Sequence, residues 1–87
     1  MSDVWVVFCT CPDTPSADAL AMRLLENDAA ACVNIMPACS SVYRWKGAVE
    51  RATEVQLLIK TTEACYRAVE TLIRAHHPYE VPEVLAI

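Results

Sequence analysis

The apolar residues change period along this chain, and the order of those changes limits its topology more than any single motif does. Val4-Trp5-Val6-Val7-Phe8-Cys9 is a continuous run of β-branched and aromatic residues, the pattern of a strand covered on both faces or central in its sheet. Pro12, Asp13 and Pro15 stop it. Asp13 or Thr14 can cap a helix, and Ala17, Leu20, Ala21, Leu24 and Leu25 then recur at helical spacing, to about Asp28. Ala30 to Met36 and Ser41 to Trp45 read as a second strand broken or bulged at Pro37, because proline has no N–H for a ladder. The only glycine, Gly47, marks the following turn. From Glu50 the alternation resumes through Val55, Leu57 and Ile59, closing a long hairpin. Thr61 or Thr62 can cap a second helix with an apolar stripe at Cys65, Ala68, Val69, Leu72 and Ile73; it ends at His76-His77-Pro78. Val81 to Ile87 is a last strand.

The resulting order is βαββαβ, the ferredoxin-like motif, an α+β fold with both helices on one face of an antiparallel sheet. Residues 1–87 make one domain with one core. With the first strand between the last strand and the hairpin, Cys9, Cys11, Trp45, Gly47, His76 and His77 converge on one edge of the sheet.

Composition then excludes several functions. A formal charge of −4 removes the electrostatic footprint of a nucleic-acid binder. No apolar run approaches the ~20 residues of a membrane span, and no basic stretch followed by an apolar one opens the chain, so the reading is a soluble cytoplasmic protein. Five cysteines, an odd number without a secretion signal, read as reduced thiols rather than a disulfide scaffold. An apolar fraction of 55% is more than an 87-residue monomer can readily bury, which points to an oligomer. Tyr43 and Trp45, near a hairpin tip that cannot be buried in its own domain, read as anchors against a neighbouring subunit.

His76-His77-Pro78-Tyr79-Glu80-Val81-Pro82-Glu83 holds both histidines and is the densest polar chemistry in the chain. Thiolate with imidazole suits copper or zinc, and Cys9, His76 and His77 offer up to three ligands. The competing structural reading sets the histidines in the last helical turn, where cations favour the dipole, with Cys9 packed in the sheet. A Cys-His nucleophile is a third possibility. A single glycine leaves little of the flexible backbone that phosphate cradles and nucleophile elbows use, which argues against an enzyme. Lys60, at the end of an apolar strand, is expected to be buried against Glu80 or Glu83.

Five blocks in order, Val7 to Asp13, Ala30 to Ile35, Ser41 to Gly47, Glu54 to Thr62 and His77 to Glu83, resemble the CutA family of divalent-cation tolerance proteins across essentially the whole chain. The resemblance implies a PII-like homotrimer joined through extended hairpins, without enzymatic activity or an organic cofactor. It also implies divalent metal ions as partners, with copper held by the residues that fall here on Cys9, His76 and His77. Some members serve instead in anchoring a membrane-associated enzyme, so a scaffold module binding a small molecule or protein in clefts between subunits is the alternative. Family members usually continue past Ile87 with a further strand and a C-terminal helix, which this sequence lacks; Cys11 and Cys39 match no family role.

Overall fold

The computed structural model describes residues 3–79 and 83–87. The elements are β1 (Val4–Cys11), α1 (Thr14–Glu26), β2 (Cys32–Ile35), β3 (Cys39–Trp45), β4 (Ala48–Thr62), α2 (Tyr66–His76) and β5 (Val84–Ala86). All strand pairs are antiparallel, in the order β2-β4-β1-β5, with β3 continuing beyond β2 along β4. The strand broken near Pro37 is thus two strands on one partner. β4 needs its 15 residues because it pairs with β1 and β2 in the body and with β3 in the projecting part of the hairpin. That projection draws the molecule out to 43 Å along one axis against 23 and 22 Å along the others.

Alternation decides which residues are dry. Val7, Cys9 and Cys11 on β1 and Val55, Leu57 and Ile59 on β4 point to the helical side, where they meet Leu20 and Leu24 of α1 and Val69 and Ile73 of α2 in one core. The even positions, Val6, Phe8 and Thr10, face away from the helices and are only half-buried. The hairpin closes on Lys46 (φ 50°) and Gly47 (φ 81°), two consecutive left-handed residues as a two-residue turn of the twisted kind requires.

Asp13 caps α1, its Oδ1 accepting from the Ser16 N–H at 2.8 Å with a proline in the first turn. The same bond holds the Asp13 carboxyl below the usual carboxylate range. Thr61 does not cap α2, whereas Thr62 acts in the turn just before it, its Oγ1 accepting from the Cys65 N–H at 3.3 Å. Thr61 is a buried strand residue whose hydroxyl donates to the Ala29 carbonyl at 2.6 Å, and the helix begins at Tyr66 after a turn, with Cys65 at its cap and no side-chain cap bond. Lys60 is exposed, not buried. Its neighbours Ile59 and Thr61 take the core face, so parity turns Lys60 to the open one; it has no ion pair among the described residues, and Glu80 lies outside them.

Candidate functional site

The site forms where β1 runs out under the end of α2. Cys9 and Cys11 stand two residues apart on one strand, so both sulfurs emerge on the helical face, and both residues are essentially inaccessible to solvent. His77 comes to them because Pro78 follows it. A residue before proline is steered out of the helical region, and His77, at φ −78° and ψ 137°, is where α2 ends. Its N–H still donates to the Ile73 carbonyl at 2.8 Å, which pins the backbone while the ring swings over β1.

Every polar atom of that ring is engaged. The Tyr79 backbone N–H donates to Nδ1 at 3.0 Å, so Nδ1 carries no proton. Nε2 lies 2.6 Å from the Thr10 carbonyl and therefore carries the proton of a neutral ring, donating to Thr10. Cys11 Sγ approaches the same nitrogen to 3.8 Å. The Tyr79 ring packs at 4.8 Å between centroids, and its hydroxyl donates to Glu54 Oε2 at 2.5 Å. Burial first, then the bond to Glu54, raises the Tyr79 phenol above its ordinary value.

Cys9, Cys11 and His77 each offer a ligand atom, and these atoms all lie within 4.8 Å of one another. Thiolates and an imidazole around one ion at bond lengths near 2.0 to 2.3 Å need comparable spacings, so the donor set matches a soft or borderline cation in type and in scale. The two thiols are not equivalent. The neighbouring Cys11, followed by burial, pushes Cys9 well above the ordinary thiol range, whereas the bond from Cys9 lowers Cys11.

Of the residues expected at the site, Cys9 and His77 are brought together and His76 is not. His76 is the last residue of α2 and exposed. Adjacent residues at a helix end point about 100° apart, so one histidine turning inward sends its neighbour out. Cys11, placed by the sequence on this edge but left out of the ligand set, completes the cluster; the Cys9–Cys11 parity was the signal that could have included it. The Glu54–Tyr79 bond joins residues 25 apart and had no local signal.

Comparison with known proteins decides the family. Residues 5–87 match the family model described as CutA1 divalent ion tolerance protein. The chain belongs to this family. It is 44% identical over 86 residues to a divalent-cation tolerance protein CutA of Yersinia pestis, a match that covers 99% of this chain and 72% of the relative. Among solved CutA structures, that of Xylella fastidiosa is 45% identical with a TM-score of 0.94, covering 99% of this chain and 83% of the other. The Thermus thermophilus protein gives 42% and 0.94, covering 97% and 82%. A CutA from Archaeoglobus fulgidus, 36% identical with a TM-score of 0.92 over 97% of this chain and 81% of its own, is described as periplasmic. The α+β architecture expected from the periodicity is thus the family's own.

Proposed function

We propose that this chain is a non-enzymatic, metal-responsive member of the divalent-cation tolerance family, holding a soft ion, copper foremost, on Cys9, Cys11 and His77 and working as a homotrimer. One observation carries the reading: three donor atoms of the right chemistry, from β1 and the end of α2, gathered within 4.8 Å in a dry part of the domain. Cys9 and Cys11 are the primary ligands, since thiolates suit Cu(I) and need no rearrangement of the backbone. His77 joins as third ligand only with a change of tautomer, because Nε2 must give up the proton it shares with Thr10 and the Tyr79 amide must turn from Nδ1. Thiols release protons on binding, so affinity rises with pH.

The test is a competition titration with a chromophoric Cu(I) chelator under reducing conditions. The C9A/C11A chain loses roughly a hundredfold or more in affinity, beyond the cost of changing residues that only support a ligand, with a smaller loss in H77A and none in H76A. Unchanged affinity in C9A/C11A overturns the assignment.

The trimer is supported by the exposed Val42, Tyr43, Trp45 and Val49 on the projecting hairpin, an apolar surface unsuited to water. Five free thiols favour a reducing compartment, and we place the protein in the cytoplasm; cell fractionation checks this. A second reading, a PII-like regulatory or scaffold module, is favoured by an open groove of about 920 Å³ along the hairpin, lined by Tyr43, Trp45, Glu54, Tyr79 and Glu83.

A further inference from the structure

Two thiols in one small cluster are a two-electron reductant as well as a ligand pair, and their place in the fold bears on whether they can act as one. Cys9 and Cys11 are successive same-face positions of a strand, which sets their Cα atoms about 6.6 Å apart, inside the upper end of the range that a disulfide spans. Their sulfurs already lie within 4.8 Å of one another. The remaining approach falls at the end of β1. Cys9 is held on both sides, by Leu57 of β4 and Val84 of β5, whereas Cys11 pairs with Val55 of β4, is the last residue of the strand and is followed by Pro12. The other three cysteines lie outside the cluster, on β2, on β3 and at the cap of α2.

We propose that Cys9 and Cys11 reduce Cu(II) to Cu(I), so that this chain changes the valence of the ion it meets. The inference rests on the copper reading above. The step balances as two Cu(II) and two thiols giving two Cu(I), one disulfide and two protons. Each S–H bond breaks with its proton passing to solvent, one S–S bond forms between Cys9 and Cys11, and one electron goes to each copper. A disulfide at the edge of the permitted span is strained and therefore easily reduced again, so a thiol reductant returns the pair to its starting state. The disulfide state has no thiolates, so oxidation also releases bound Cu(I) until reduction restores the site.

The sequence supplies a clean readout. Trypsin releases residues 1–23 as one peptide, because Arg23 is the first basic residue, and Cys9 and Cys11 are the only cysteines in it. The full-length, pre-reduced chain is mixed without oxygen with two equivalents of Cu(II), excess thiol is alkylated, and the digest is weighed while a Cu(I)-specific chelator counts the reduced ion. The expected result is peptide 1–23 lighter by about 2 Da with no alkyl group, and about two Cu(I) per chain. Peptide 1–23 alkylated at both cysteines, in a chain that still binds Cu(I) through Cys9 and Cys11, overturns the inference and leaves the metal site standing. No Cu(I) formed from Cu(II), in a pre-reduced chain that also fails to bind Cu(I) supplied directly, overturns both. Reduction that leaves peptide 1–23 intact, with the other cysteines oxidised, also overturns it.

Discussion

β1 presents two different surfaces to its surroundings, and the contrast between them explains much of the molecule. Its odd residues, Val7, Cys9 and Cys11, enter a core that the chain completes by itself, in which every described buried side-chain N or O has a hydrogen bond. Its even residues, Phe8 and Thr10, face the open side of the sheet, next to a hairpin that leaves Tyr43 and Trp45 44% and 54% exposed. One side of the strand is finished within the domain. The other is finished only if something packs on it, which is why the candidate ligands and the candidate interface can share a strand without competing for space.

The comparison breaks first in the core. L57A removes a fully buried side chain at the meeting of β4 with both helices and should cost about 2–5 kcal/mol, read from urea denaturation. A loss below ~1 kcal/mol would mean that the helical side is less complete than described. H77A should cost about 1–3 kcal/mol, since it removes the ring bonds to the Thr10 carbonyl and the Tyr79 amide, while H76A changes stability by no more than ~0.5 kcal/mol. Equal effects of the two would erase the distinction between inward and outward histidines.

A smaller effect is expected at the α1 cap. Asp13 ionises at lower pH in the fold than in the unfolded chain, so its contribution is present above the unfolded value near 3.9 and is lost as pH falls through the folded value. D13N, which keeps the cap bond, should melt close to the parent at pH 7, show less loss than the parent between pH 5 and 3, and lie above D13A throughout. Smallest in stability is W45A, expected to leave the urea midpoint of the dissociated chain unchanged while lowering the mass found by sedimentation equilibrium. An unchanged mass would separate the hairpin from assembly.

The helix spacings and the single glycine at a left-handed turn are local properties, and local physics carried them through to the structure: α1, the hairpin turn and the strand order needed no distant information. Lys60 and Thr61 were misread for a shared reason. Whether a residue ending a strand is buried, or whether a threonine caps or pairs, depends on how far β4 continues against β1, and Thr61 is recruited by the Ala29 carbonyl, 32 residues away.

By itself, then, the sequence determined the elements, their order, the family, and a meeting of cysteines with histidines on one sheet edge, because periodicity and turn chemistry are written within a few residues of where they act. Only the tertiary structure decided that His77 turns in while His76 turns out, that Cys11 joins Cys9, and that both nitrogens of His77 are already engaged. Those outcomes depend on side chains from β1 and α2 meeting across more than sixty residues of chain, at angles that are fixed only once helix, sheet and Pro78 turn are packed together.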